Sequence, residues 1–292
     1  MSKKNAIAFY FDDRYLNYAR ALVGSIVTNY PSHPKILVYY EGQNTEIRNL
    51  LRTLVNVELK DMFYRENFRA QKKSLGPVNH PGVYLKYNLW TSDFDEYDNV
   101  LYLDCDTIVQ RNLDYIFEEH DFFIVSNHEP YTIVRVFGQD KRHDKKLQRK
   151  LNRYGIKYPD GPNSMANAGV FMIPKKYRTP FYYNLLCDLS KDFIKYCAYA
   201  DQSIITLWCN VLNIPISQSY LYNYQVSFGS LRDVGSPPQS ARIVHFTGPN
   251  APDSDKFLSW DWAYPNAVYF NEIYLKYLSV YKDLVKKYLG SV

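Results

Sequence analysis

Short apolar runs alternate with stretches of helical hydrophobic period along the first half of this chain, and that alternation restricts the fold more than any other property of the sequence. Residues Asn5 to Phe11 form an apolar run that stops at Asp12-Asp13, and Leu16, Ala19, Leu22, Val23, Ile26 and Val27 then recur at the spacing of one helix face. Pro31 and Pro34 end that helix, and Lys35 to Tyr40 reads as a second buried strand ahead of the helical set Ile47, Leu50, Leu51 and Leu54. Val83 to Ser92 suits a helix, while Val100 to Leu103, Phe122 to Ser126 and Ala168 to Ile173 suit strands. Strands joined by helices pair in parallel, so this order predicts an α/β domain with a largely parallel sheet between helices.

The rest of the chain is less regular. Asn127 to Met165 is polar and basic, with Leu147, Leu151 and Tyr154 at a helical period, and reads as an inserted helix with loops. Tyr177 to Tyr196 and Gln202 to Leu212 look helical, Ala241 to Phe246 looks like a strand, and Asn266 to Tyr288 reads as a long amphipathic helix. An α/β chain of 292 residues can bury its core as one compact unit, so a single domain is expected over 1–292.

Composition narrows the class. Hydrophobic residues make up 46% and charged residues 22%, which is globular, and no run approaches the roughly eighteen apolar residues that span a bilayer. Ala6 to Phe11 is too short and too aromatic for a signal-peptide core, and the four cysteines form no C-x-x-C pair, so a cytoplasmic, reducing compartment is expected. The net charge of +5 is local. Lys141 to Arg153 holds seven Lys or Arg against one acid, contributing +6 and leaving about −1 elsewhere. That segment reads as a solvated helix face, with an acidic acceptor, a polyanion or a membrane surface as the alternative. It does not resemble a nucleic-acid footprint, which spreads over a face and interleaves stacking aromatics.

No glycine pair forms G-x-G, which excludes a dinucleotide loop and a Walker A cradle. A diphosphate would need another charge partner. The run Val100-Leu101-Tyr102-Leu103-Asp104-Cys105-Asp106-Thr107 supplies one: an apolar strand ends in carboxylates at i and i+2, on one side of an extended chain, where a hard cation can be gripped. Open α/β sheets bind ligands at the carboxyl ends of their strands. A polar strand end that merely solvates two acids would read the same. His245 adds an imidazole after the apolar run Ala241 to Val244, and two carboxylates with one imidazole suit Mn²⁺, with Mg²⁺ as the second choice.

Taken in order, these strings resemble glycosyltransferase family 8, the retaining group that includes glycogenin and bacterial lipooligosaccharide galactosyltransferases. The resemblance rests on Asp12-Asp13-Arg14-Tyr15, Lys86 within Tyr84 to Trp90, Leu103 to Thr107, Asn167 to Phe171, Asp201-Gln202 and His245-Phe246-Thr247-Gly248. It implies a GT-A fold, a Rossmann-like mixed and mostly parallel sheet flanked by helices, with residues 1–126 as the nucleotide-binding half, 127–165 as a basic insertion and 166–292 as the acceptor and sugar half. It implies a UDP-hexose donor, UDP-glucose or UDP-galactose, with Mn²⁺ on the diphosphate and a glycan or protein acceptor. The 29 tyrosines leave self-glycosylation open, and a homodimer is an allowed assembly.

By the same resemblance Phe9, Phe11, Asp12 and Tyr15 cradle the uridine, and Asp104, Asp106 and His245 hold the metal, with Cys105 between the acids. Asn167, Ala168, Gly169, Asp201 and Gln202 line the sugar pocket, where Lys86 contacts the donor sugar and Asp201, Gln202 and Lys86 are the catalytic candidates. Gly248 and Lys256 belong to the loop over the diphosphate. The residues alone allow plainer readings: a capped loop at Asp12, an exposed helix lysine at Lys86, and an N-cap at Asp201. Ala251 stands where the family usually carries a lysine that neutralises the departing diphosphate, so Lys256 substitutes or turnover is slow. The rival readings are a UDP-sugar-binding protein with weak catalysis and a sugar nucleotidyltransferase.

Overall fold

The computed structural model of the chain describes residues 3–53, 56–60, 81–119, 121–127, 136–137, 144–156, 165–226, 238–247 and 267–289. A six-stranded sheet has the order β3-β2-β1-β4-β7-β6, built from β1 (Asn5–Phe11), β2 (Lys35–Tyr40), β3 (Val57–Lys60), β4 (Asn99–Leu103), β6 (Phe123–Ser126) and β7 (Ala166–Pro174). A second, three-stranded sheet has the order β5-β9-β8, from β5 (Thr107–Val109), β8 (Tyr224–Gln225) and β9 (Ile243–His245). The helices are α1 (Leu16–Asn29), α2 (Thr45–Thr53), α3 (Asp114–Glu119), α4 (Lys145–Arg153), α5 (Pro180–Phe193), α6 (Ala200–Val211) and α7 (Ala267–Leu289).

The large sheet is mostly parallel: β1 pairs β2 in parallel from Ala6↔Lys35 to Phe11↔Tyr40, and β2 pairs β3 in parallel. Burial on both faces is what a parallel sheet between helices demands, and it explains the near-continuous apolar runs of β1 and β2. At the far edge β6 meets β7 antiparallel, with a bulge between Ile124 and Val125. Of the small sheet the sequence announces only β9, within Ala241 to Phe246; β5 and β8, of three and two residues, carry too little pattern to read.

Cα packing resolves two compact units: Met1–Lys4, Phe63–Val100 and Asp121–Gln218 form the first, and Asn5–Met62, Leu101–His120 and Ser219–Val292 form the second. In the first, Trp90, Trp208, Phe122 and Phe171 interlock, with Trp90 edge-on to Trp208 at 5.4 Å between ring centroids and 5.6 Å from Phe171. Both indoles are fully buried, and truncating either would cost about 3–5 kcal/mol. Where a helix is expected over Val83 to Ser92, Pro81–Trp90 is a 3-10 helix whose residues Leu85–Trp90 are all buried, so that stretch lacks the wet face of a surface helix.

In the second unit the chain leaves β1 through a short 3-10 turn (Asp13–Tyr15) that Asp12 caps by accepting from the Arg14 amide, and α1 follows directly. The α1 helix ends with the Tyr30 amide on the Ile26 carbonyl, just ahead of Pro31. Its buried side holds Ala19, Leu22, Val23 and Ile26. Among the described residues no helix is long and apolar enough to cross a membrane.

Candidate active site

Asp104, Asp106 and His245 are brought together by the small sheet. β4 ends at Leu103, and the chain then turns through Cys105-Asp106, the turn being closed by the Thr107 amide and hydroxyl on the Asp104 carbonyl at 3.1 and 2.8 Å. The carboxylates therefore converge through a turn and not through the i, i+2 alternation of an extended strand, which corrects the sequence-based account. β5 leaves that turn and pairs antiparallel with β9 in the register Thr107↔His245. The Phe246 amide donates to the Asp106 carbonyl at 2.8 Å, so the two ligand-bearing segments are stitched together immediately beside the site.

One ligand atom from each of Asp104, Asp106 and His245 lies within 4.8 Å of the other two. His245 Nε2 is 3.3 Å from Asp106 Oδ1 and 3.8 Å from Asp104 Oδ2. The imidazole is 3% exposed and its Nδ1 is 3.0 Å from Asn223 Oδ1. With Nδ1–H donating to Asn223, the Nε2 lone pair faces the two carboxylates, and three electron-rich donors then aim at one point. That is a donor set a divalent cation fits, with coordination positions left for substrate oxygens. Tyr102, two residues before Asp104 and on the same side of β4, donates its hydroxyl to Asp104 Oδ1 at 2.9 Å and fixes that carboxylate. Cys105 lies in the turn, buried and in no disulfide.

Tyr15 belongs to the same unit and keeps 43% of its surface exposed. Burial raises the Tyr15 hydroxyl above its ordinary range, and the nearby Asp106 and Cys105 push it further. The hydroxyl thus stays protonated at neutral pH, next to the turn that carries the acids. Both Asp12 oxygens are engaged by Arg14, through its amide at 3.0 Å and its guanidinium at 3.0 and 2.7 Å. Phe9 and Phe11 are both buried. The two residues are 0% and 2% exposed and line a small, mainly apolar pocket with Leu16, Ala19, Arg20, Val23, Ile47, Leu51 and Tyr281. They are core residues of β1; of the four uridine candidates only Tyr15 is exposed, the Asp12 side chain being 16% exposed.

A second polar cluster lies within the first unit. Lys86 and Asp201, with side chains 7% and 9% exposed, form an ion pair at 2.9 Å, and Lys86 Nζ also donates to the Ala168 carbonyl at 3.1 Å. The exposed-lysine reading of Lys86 is thereby overturned. So is the cap reading of Asp201: Tyr199 occupies the N-cap position of α6, and Asp201 sits inside the first turn. Ala200 enters that helix with φ +41°, left-handed backbone that a non-glycine residue adopts at a cost of about 1–3 kcal/mol and that recurs at functional sites. The Ala168 amide donates to Gln202 Oε1 at 3.4 Å, the Gly169 amide to Asn167 Oδ1 at 3.0 Å, and Asn167 Nδ2 to Asn127 Oδ1 at 3.4 Å. Asn127, Asn223 and Tyr102 are partners that sequence reasoning missed. Tyr102 was findable from strand alternation, whereas Asn127 and Asn223 sit in segments with no period. Gly248, Ala251 and Lys256 lie outside the described residues.

A mixed, mostly parallel sheet flanked by helices, with an acid pair in the turn after β4 and a histidine closing β9 of the small sheet, matches the GT-A fold of glycosyltransferases. The chain belongs to glycosyl transferase family 8, whose sequence profile matches residues 6–254. The fold is similar to that of galactosyltransferase LgtC in complex with donor and acceptor sugar analogs, at a TM-score of 0.63 and 19% identity over 93% of this chain and 95% of that one. It is similar to apo bifunctional glycosyltransferase WbbM at 0.65 and 15% identity, over 99% of this chain and 52% of that one. It is also similar to apo GlyE of Streptococcus pneumoniae TIGR4 at 0.59 and 18% identity, over 98% of this chain and 63% of that one. No curated protein sequence matches the chain.

Proposed function

We propose that this glycosyltransferase moves a hexose, glucose or galactose, from a UDP-sugar to a glycan or protein acceptor with retention of anomeric configuration, and that Asp104, Asp106 and His245 hold the Mn²⁺ or Mg²⁺ it uses. The observation that carries the reading is the convergence of those three ligand atoms within 4.8 Å, from chain segments far apart in sequence. A bound divalent ion supplies Lewis-acid stabilisation of the leaving diphosphate. Asn223 holds the His245 ring so that Nε2 is the ligating atom, and Tyr102 holds Asp104.

Tyr15 is assigned to stack on the uracil and Asp12 to accept from the nucleoside. Phe9 and Phe11 are assigned no side-chain contact, because their rings are spent on the core. Asp201 is assigned to the reacting sugar, where an anionic carboxylate stabilises positive charge at the anomeric carbon or traps it covalently. Lys86 compensates that buried charge and orders the Ala168 carbonyl. Gln202, Asn167 and Gly169 are assigned to the sugar hydroxyls, and Gly248 and Lys256 to the departing diphosphate.

The test is UDP release from UDP-glucose and UDP-galactose, with Mn²⁺ or with chelator. Metal-dependent UDP formation from one of the two supports the proposal. Saturable binding without UDP would assign the chain to the binders, and pyrophosphate among the products would assign it to the nucleotidyltransferases.

A further inference from the structure

The long helix α7 lies beyond residue 254, where the family match ends, yet it is packed into the part of the second unit that carries the metal ligands. Phe270, Tyr274, Tyr277 and Leu278 of α7 share one buried cluster with Ile108 of β5 and with Val244 and Phe246 at the end of β9. Its register on α1 is tightly set. A Cβ on Gly24 would stand 2.3 Å from the Tyr277 carbonyl oxygen, so the two helices meet backbone to backbone there, and only glycine fits. Asn29 Nδ2 donates both to the Tyr277 hydroxyl at 2.7 Å and to the Val109 carbonyl at 2.8 Å, which ties α7 to β5.

One turn before that anchor stands Tyr274, 1% exposed. Its ring lies 5.5 Å from Tyr18 and 6.1 Å from Phe246, and Tyr18 in turn lies 6.3 Å from Phe246 and 6.0 Å from Tyr15. The Phe246 ring belongs to the residue after His245, and the Phe246 amide is the donor that holds the Asp106 carbonyl. We propose that Tyr274 is a positioning residue for the Asp104-Asp106-His245 cluster: by seating the Phe246 ring it sets the peptide that joins the His245 and Asp106 segments, and through Tyr18 it sets the Tyr15 loop against them. Rigid, close-packed rings transmit such placement because they have few alternative rotamers and the interior leaves no slack. The proposal rests on the metal reading above.

The experiment is Mn²⁺ titration of the purified full chain without donor, read by the electron paramagnetic resonance of free Mn²⁺, alongside thermal melting. Tyr274→Leu should weaken Mn²⁺ about tenfold, the scale of losing a residue that orients ligands. Tyr274→Phe, which keeps the ring, should return affinity to within about threefold of wild type. Leu278→Ala, on the same helix and in the same cluster, should lower the melting temperature while leaving Mn²⁺ affinity unchanged. Should Tyr274→Leu not fold, Tyr18→Leu, at a half-buried position of the same ring chain, should weaken Mn²⁺ about threefold. Wild-type affinity in folded Tyr274→Leu or Tyr18→Leu, with binding lost in Asp104→Ala, would overturn the positioning role and leave the metal reading standing. An equal loss in Leu278→Ala would reduce Tyr274 to general core packing. Absence of Mn²⁺ binding by wild type would remove both.

Discussion

The two polar clusters are built on opposite electrostatic plans. Asp104, Asp106 and His245 gather acceptors, with carboxylates 27% and 20% exposed. Lys86 and Asp201 face each other as opposite charges, both almost entirely buried. A cluster of like donors is unfavourable until a cation enters, which is the partner the proposed function gives it. A buried ion pair has already settled its charge, and its burial cost is repaid by attraction and by the Lys86 bond to Ala168. What the difference teaches is that the first cluster should lose function without losing fold, whereas the second should lose both together.

The largest effect is expected where a metal ligand is removed. Asp104→Ala or Asp106→Ala should lower turnover by about a thousandfold, roughly 4 kcal/mol, while the metal-free melting temperature stays within a few degrees of wild type. A variant that unfolds, or one that keeps activity within a few-fold, would break the contrast. Next comes the buried pair. Asp201→Asn should lose about a hundredfold in kcat, near 2.7 kcal/mol, and should also destabilise the protein by about 3–5 kcal/mol, because the Lys86 ammonium is left buried without its counter-charge. The double variant Lys86→Met with Asp201→Leu sharpens the point: chemical denaturation should recover most of the lost stability, and activity should not return. If Asp201→Asn melts like wild type, the ion pair does not matter to the fold.

Smaller changes follow at the periphery of the metal cluster. Removing His245 as alanine should weaken Mn²⁺ by about a hundredfold, and Asn223→Leu, which frees the imidazole to rotate, by about tenfold, both read by metal titration. Equal affinities in Asn223→Leu and wild type would mean that the ring is oriented by packing alone. Smallest of all, Tyr15→Ala should weaken UDP binding by about tenfold, in line with about 1–3 kcal/mol for stacking one base, whereas Tyr15→Phe should bind normally. Because the Tyr15 hydroxyl is held above its ordinary range, the Phe variant should also keep the wild-type pH profile through neutral pH. Impaired binding by Tyr15→Phe would replace stacking with a hydrogen bond.

Elements long enough to show a period were legible before any coordinates. The β1 run, the α1 face and the α7 pattern were read within a residue or two, because burial on one face or both leaves a repeat in the residues themselves. The grouping of Asp104, Asp106 and His245 was also legible, since the two acids follow one apolar run and the histidine closes another, although the turn that carries Asp106 was not. What escaped is pairing without period. Nothing at Asn223 says that it will reach His245, and nothing at Lys86 says that a lysine will be buried, because both facts arise from distant segments meeting. Phe9 and Phe11, which the family resemblance assigns to the uridine, are buried in a strand covered on both faces, a fact that alternation alone does not reveal.

The antiparallel pairing of β5 with β9 carries one last consequence. It places Asp106 and His245 side by side although well over a hundred residues of chain run between them. A cation gripped there acts as a reversible cross-link that closes a long loop, comparable in kind to a disulfide but governed by metal concentration instead of redox potential. At a hundred times its dissociation constant such a ligand adds about 2.7 kcal/mol to the folded state. Under the proposed function, the ion that stabilises the leaving diphosphate would then also clasp the unit that carries its ligands, so chelation would remove rigidity along with chemistry.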